Sequence, residues 1–435
     1  MSISSSLNAG VSGLAANASA LGTISDNIAN SSTFGYKRAD VDFSSVVISE
    51  TEGAYTAGGV VVDPFREVDS RGSLVSTSNS TDLALGGDGM LPVTTISSVD
   101  DGDPSPPLLL VSTGSFRTND EGYLVTESGL VLQGFEANAD GTFPAVPRDS
   151  ADGLVPVRIN ENAFASAPTT EISLGANIPA QATDSTDFIG GEIYNLPIAY
   201  IDNVGSTESL NFEFDPNEAD PQSNNWTVTV TDSALGATVA SLTIQFDDTT
   251  GSGGAIDTVT TAGAFGETYD PATGVLTVTV GRGPIEVNIG AETTADGLSQ
   301  LDADFGPTNI VKNGAAVGTL SSVEVDENGF VIGSYNNGFT EVLYQIPVVD
   351  VPDPNGLTAV DGQAFMISAD SGDFYLWDAG AGPTGEIIGF AREESTADLA
   401  AELTSLIQVQ RAYSSNATVI RTVDEMLQET TNLKR

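Results

Sequence analysis

Both ends of this chain carry the same apolar rhythm, and nothing between them does. Leu7, Val11, Leu14, Ala18, Leu21 and Ile28 follow alternating steps of four and three, with Ser25 the one polar member of the series. Leu399, Leu403, Leu406, Gln410, Tyr413, Ala417, Ile420, Asp424 and Leu427 repeat the alternation at the other end. Such spacing holds one apolar row along a slightly underwound helix, which is how helices pack on helices. Proline would break either helix, and it first occurs at Pro64 and last at Pro383. The second helix also has marked ends. Ser395 with Asp398 makes a capping-box-like start, Glu394 and Glu402 lie near the positive end of the dipole, and Lys434 and Arg435 close the negative end. Residues 1–30 and 395–435 are therefore expected to form one coiled-coil-like inner domain. An ordinary intradomain helix pair is the plainer alternative.

The middle of the chain reads as strands. Trp226-Thr227-Val228-Thr229-Val230, Leu242-Thr243-Ile244-Gln245-Phe246 and Val275-Leu276-Thr277-Val278-Thr279-Val280 alternate with period two and are rich in β-branched residues. Turn clusters such as Asp247-Asp248-Thr249-Thr250-Gly251 separate them. Two further hairpin signals resemble each other, Asn119 to Val125 and Asp326 to Ile332, each with glycine where a tight turn needs positive φ. Similar pieces on both sides of a Thr-rich region imply a β-domain split by another. The expected fold is mainly β with helical termini: connecting segments 31–70 and 366–394, a split β-domain 71–169 and 288–365, and an inserted acidic β-domain 170–287.

Charge and missing residue types exclude several functions. Fourteen Lys and Arg face 60 Asp and Glu, a formal net of −46, and none of the basic residues lies between Arg158 and Arg282. Nucleic-acid binding needs Lys and Arg against phosphate, and an anionic membrane surface needs the same. No run approaches the roughly 18 consecutive apolar residues of a spanning helix, so no membrane insertion is expected. No Lys or Arg precedes Lys37 and no apolar core follows the start, so no cleaved signal is expected either. Such a surface suits saline surroundings, where screening is short-ranged. Calcium held by clusters such as Asp100, Asp101 and Asp103 is the competing reading, though no segment fits the twelve-residue calcium loop. The chain has no His and no Cys, which removes the usual general base, the thiol nucleophile and the commonest metal ligands. A two-carboxylate glycosidase is the surviving enzymatic option, and 60 carboxylates supply such pairs by chance. Gly86-Gly87-Asp88-Gly89 and Gly251-Ser252-Gly253-Gly254 lack a phosphate-loop Lys and read as turns. No cofactor is expected.

A resemblance enters through the ends. Asn17 to Leu21, Asp26-Asn27-Ile28-Ala29-Asn30 and Thr33-Phe34-Gly35-Tyr36-Lys37-Arg38 resemble the N-terminal signature of bacterial flagellar rod and hook axial proteins. Thr81 to Met90, Gly122 to Val125 and Gly129 to Phe135 continue the likeness. Tyr344 to Pro347, Asn355 to Leu357, Gln410 to Ala417 and Thr422 to Gln428 are similar to the hook members of that family. The likeness spans about 1–135 and 297–435, and the approach to the last helix, Gly389 to Leu399, departs from the family pattern. In its own physics, the signature closes the first helix at Asn27 and Asn30, turns at Gly35 and offers Tyr36 to a neighbouring surface.

The resemblance implies a non-enzymatic structural subunit of the flagellar hook, a curved helical tube that transmits torque from the rod to the filament. It implies export through the flagellar type III apparatus to an extracellular position. The implied partners are further copies of this chain, with rod, hook cap and hook–filament junction proteins. The assembly residues would be Leu7, Val11, Leu14, Leu21, Asn27, Ile28, Asn30, Gly35, Tyr36, Leu399, Leu403, Leu406, Tyr413, Ile420 and Leu427. A distal rod subunit and a calcium-stabilised acidic surface protein or adhesin are the rivals. Gly10, Gly13 and Gly22 each cost the first helix about 1 kcal/mol against Ala, so the termini are expected to become ordered only on assembly.

Overall fold

The computed structural model describes residues 3–46, 58–103, 106–138, 141–183, 192–216, 224–294 and 296–433. It forms two compact units, one of Met1–Asn160, Val323–Gly333 and Glu341–Arg435, the other of Glu161–Ser322 and Ser334–Thr340.

The first unit holds both terminal helices, Ile3–Ala29 and Leu399–Leu433. Asp398, not Ser395, caps the second: its Oδ1 accepts from the backbone N–H groups of Ala400 at 2.7 Å and Ala401 at 3.1 Å. A carboxylate at that position satisfies two of the free N–H groups of the first turn, so the helix begins at Leu399. Lys434 and Arg435, expected to close its other end, lie outside the described residues. After the first helix comes an antiparallel ribbon of Ala39–Ser45 with Val60–Arg66. Short strands then join the two ends of the chain, Leu74–Ser76 with Ala391–Glu393 and Asp82–Leu85 with Ile387–Gly389. Beyond them a sheet runs from Thr340–Gln345 through Leu130–Glu136, Leu91–Thr95, Leu109–Val111 and Ala364–Met366 to Thr358–Val360. Its core gathers Met90, Leu110, Phe135, Val349, Phe365 and Leu376.

The two hairpin signals are one turn built twice. Gly122 and Gly329 take φ of +92° and +81°, and their N–H groups donate to Asn119 O and Asp326 O, each at 3.0 Å. Positive φ is open to glycine without the steric cost a Cβ brings, which is why each signal needs it.

The second unit is a sandwich of two sheets. One is an antiparallel meander of Tyr194–Ile201, Thr207–Pro216, Asn225–Asp232, Ala237–Phe246 and Ile256–Thr261. Trp226, Val228 and Val230 are buried while Thr227 and Thr229 between them are not, the period-two pattern that places one face on a core. The other sheet is built around Glu171–Pro179. That strand pairs in parallel with Gly283–Asn288 and Leu298–Leu301 and antiparallel with Gly306–Lys312. The limits expected for the insert, 170 and 287, therefore fall inside this unit, because residues up to Lys312 hydrogen-bond into its sheet. No helix among the described residues is long and apolar enough to cross a membrane.

Candidate assembly surface

The two terminal helices lie side by side and antiparallel within the chain. A Cβ on Gly10 would stand 3.1 Å from Ile420 Cγ1, one on Gly13 would stand 2.8 Å from Asn416 Nδ2, and Asn27 bonds Glu402. Gly10 and Gly13 thus lie directly against the second helix. With no Cβ at these two positions, side chains of the second helix lie directly against the first. Gly22 differs: apart from its chain neighbours and the backbone of its own helix, no atom of the described residues comes within 4 Å of the place its Cβ would take.

A buried polar junction fixes the helices at the end nearest Asn27. Asn27 is fully buried; its Nδ2 donates to Ala39 O at 2.8 Å and to Glu402 Oε1 at 3.1 Å, and its Oδ1 accepts from Ala39 N at 2.9 Å. Expected to close the first helix, Asn27 instead ties that helix to the ribbon and to the second helix. Asn30 does the closing, with its N–H and its Nδ2 both donating to Asp26 O. Glu402 is also buried, and its Oε1 accepts from Arg38 Nε at 2.6 Å. It lies in the first turn of its helix, as expected, and also neutralises a guanidinium there. Tyr36 is buried, and its hydroxyl lies 2.9 Å from Asp26 Oδ2 and 3.0 Å from Asn27 Oδ1, with the Arg66 guanidinium 5.0 Å from its ring centre. Burial first, then the hydrogen bond to Asp26, push the phenol up to about 12, so it stays protonated as a donor.

One step along, Lys37 and Glu393 form an ion pair at 2.8 Å with both side chains out of solvent. Lys37 Nζ also donates to Ser70 O, and Glu393 Oε1 accepts from Gly72 N at 2.7 Å. Burial pulls the Lys37 ammonium down and Glu393 opposes that pull. Burial alone would raise the Glu393 carboxyl; Lys37 and the hydrogen bonds outweigh it and hold the group below its usual range. Gly35, at φ +72°, donates its N–H to Glu393 O at 2.8 Å, and a Cβ there would lie 2.9 Å from Thr113 Cγ2.

The apolar series read from the sequence lies largely outside this packing. On the first helix the partner-facing or buried positions include Gly10, Gly13, Ala20, Ile24 and Asn27, each one position before a member of the series, Val11, Leu14, Leu21, Ser25 and Ile28. One position is a rotation of about 100°. Val11 is exposed, and Leu7, Leu14, Leu21 and Ile28 are half-buried. On the second helix the inward row is Glu402, Val409, Asn416 and Val423, seven apart. Leu406 and Ile420 are half-buried, while Leu399, Leu403, Ile407, Tyr413, Val419, Met426 and Leu427 stand 40–50% exposed. Seven large apolar residues in the described part of one helix thus stand open to water.

The comparisons meet at these same segments. A family described as "Flagella basal body rod protein" matches residues 7–37, and one described as "Flagellar basal body rod FlgEFG protein C-terminal" matches residues 389–433. The flagellar hook protein FlgE of Brucella suis is 34% identical over 438 residues, and that of Rhizobium meliloti 32% identical over 437, each covering 100% of both chains. The flagellar hook protein FlgE of Salmonella typhimurium is 27% identical over 446 residues, covering 99% of this chain and 100% of its own. The matched ends contain the helix pair and most of its junction, and the relatives align over the whole length between them: the chain belongs to the flagellar hook protein family.

Proposed function

We propose that this protein is the structural subunit of a flagellar hook, an extracellular tube that polymerises from copies of this chain and couples the rod to the filament. The observation that carries this reading is the run of exposed large apolar residues from Leu399 to Leu427 on a helix already held by its own chain. Copies that bind one patch to a different patch generate an open helix, which is the geometry a tube requires. The junction around Asn27, Tyr36, Lys37 and Glu393 acts as a positioning device that sets how the helix pair leaves the β-structure of its own unit. The protein does no chemistry in this role. Rod, cap and junction proteins would meet it at the ends of the tube, and the flagellar type III apparatus would export it without a cleaved signal.

Electron microscopy of cells lacking the protein tests the reading. Basal bodies with rods and no hooks are expected. Normal hooks in such cells would end it.

A further inference from the structure

We propose that Asn313 is a site of spontaneous covalent modification: the backbone nitrogen of Gly314 attacks its side-chain amide, and the ring so formed opens with water to aspartate and isoaspartate. The proposal stands independently of the hook-subunit reading.

The chain contains four Asn-Gly pairs, at Asn313, Asn328, Asn337 and Asn355. Glycine crowds the attacking nitrogen least, having no Cβ. In three of the pairs that nitrogen is occupied, because Gly329, Gly338 and Gly356 donate their N–H groups to Asp326 O, Tyr335 O and Asp353 O at 3.0, 3.0 and 3.2 Å. The Gly314 N–H has no acceptor among the described residues. Asn313 is also exposed, so water reaches it.

The carbonyl of the same amide is set for attack. Asn313 Oδ1 accepts from the backbone N–H groups of Thr170 at 3.0 Å and Glu171 at 3.1 Å. Negative charge develops on that oxygen when a nucleophile adds to Cγ, and two fixed donors at such distances stabilise it. Asn313 Nδ2 donates to Thr170 Oγ1 at 2.8 Å, a hydroxyl that can return a proton to the departing nitrogen. Asn355 supplies the contrast. Its Oδ1 accepts from Val68 N at 2.8 Å and Asp69 N at 3.2 Å, but the N–H of Gly356 beside it is already donated. Of the four pairs, Asn313 alone joins a polarised carbonyl to a free nitrogen.

The Gly314 nitrogen gives its proton to solvent and bonds to Cγ; the Cγ–Nδ2 bond then breaks and ammonia leaves. Water adds to the cyclic imide, and no atom changes oxidation state. Opening at Cγ gives aspartate, whose carboxylate meets the two N–H groups and the Thr170 hydroxyl, donors that bind an ionised acceptor more strongly than an amide. Opening at the backbone carbonyl gives isoaspartate, which inserts one methylene into the chain between the strands Gly306–Lys312 and Ala315–Val325. The change runs one way, so the converted fraction records the age of each copy.

Purified full chain is incubated at neutral pH, folded or unfolded in guanidinium chloride. Peptide mapping by mass spectrometry follows all four pairs through the mass gained when amide becomes acid. In the folded chain, conversion at Asn313 is expected to run severalfold faster than at Asn328, Asn337 and Asn355, and in the unfolded chain the four rates should converge. Thr170→Val keeps both N–H donors and removes the hydroxyl, and should slow Asn313 severalfold while leaving the other three unchanged. An unaltered rate in that variant overturns the part given to Thr170. Asn313 converting no faster than the other three in the folded chain, or keeping the same lead when unfolded, overturns the proposal.

Discussion

The Thr-rich sandwich encloses an apolar core of its own, and the C-terminal helix does not. In the sandwich, Trp226, Phe212, Phe214, Ile244, Leu276 and Val287 are buried to within 1% of complete, and threonines face outward between them. In the C-terminal helix, only Glu402 and Val423 are buried among residues 399–429. The sandwich thus has a closed core of its own, although Phe164, Val204, Leu301 and Val311 of the same unit stand more than half exposed at its surface. In the proposed function, a helix that leaves seven large ones 40–50% exposed is half of an interface. On that proposal, the sandwich supplies a self-contained fold and the helix supplies assembly.

The helix-bearing unit should nonetheless depend sharply on its own junction. Lys37→Met is expected to cost about 3–5 kcal/mol in denaturant unfolding, because it strands Glu393 as a buried charge. Lys37→Met with Glu393→Leu should recover most of that loss, since replacing both partners leaves no unpaired charge. A single variant as stable as the parent would mean that water reaches the pair.

On the other side of the comparison, Trp226→Ala should cost the sandwich a similar amount, about 3–5 kcal/mol. Trp226→Phe should cost much less, because the indole Nε1 finds no hydrogen-bond partner among the described residues. Proteolysis mapped by mass spectrometry should show cleavage confined to Glu161–Ser322 in Trp226→Ala. Cleavage spreading through the terminal helices would show that the two regions fold as one.

Acid should loosen the strands that join the chain ends. Burial alone would raise the Asp82 carboxyl, but hydrogen bonds from Arg117, Asn79 and Ser115 outweigh it and bring the group from 3.8 to about 2. Because the folded value lies below the unfolded one, the carboxylate stabilises the fold above about pH 4, and that contribution is lost as pH falls toward 2. Unfolding midpoints followed over that window should fall more steeply for the parent than for Asp82→Asn. Parallel curves would remove Asp82 from the account.

The smallest effect separates the glycines. Gly22→Ala should stabilise the monomer by about 1 kcal/mol, the propensity difference at an unobstructed helical site. Gly13→Ala should gain nothing, because its Cβ would press on Asn416. Thermal unfolding of the two variants gives the comparison directly, and equal gains would show that the helices do not touch at Gly13.

Much of this architecture is legible in the sequence where physics is local. Alternating Thr and Val gives the strands of the sandwich, and the three-four rhythm gives both helices. The face of the first helix turned to the second leaves no apolar series because Gly10, Gly13, Ala20 and Asn27 are small or polar, and the visible series marks the face turned about 100° away. The junction leaves no local signal. Asn27 and Glu402 are 375 residues apart, and Lys37 and Glu393 are 356 apart. Glu402 sits in a first turn where an acidic residue already has an electrostatic reason to be. The unit boundary is hidden in the same way, since the parallel pairing of Glu171–Pro179 with Leu298–Leu301 joins strands far apart in the chain.

The central claim is that the outward face of the C-terminal helix is completed by other copies, and Leu403→Asp/Ile407→Asp tests it most directly. Purified parent and variant would be compared by circular dichroism, by denaturant unfolding, and by sedimentation with electron microscopy under polymerising conditions. The account predicts a variant that folds with stability within about 1 kcal/mol of the parent, the sum of two surface substitutions, and forms no polymer. Tubes from the variant at the parent's yield would contradict it.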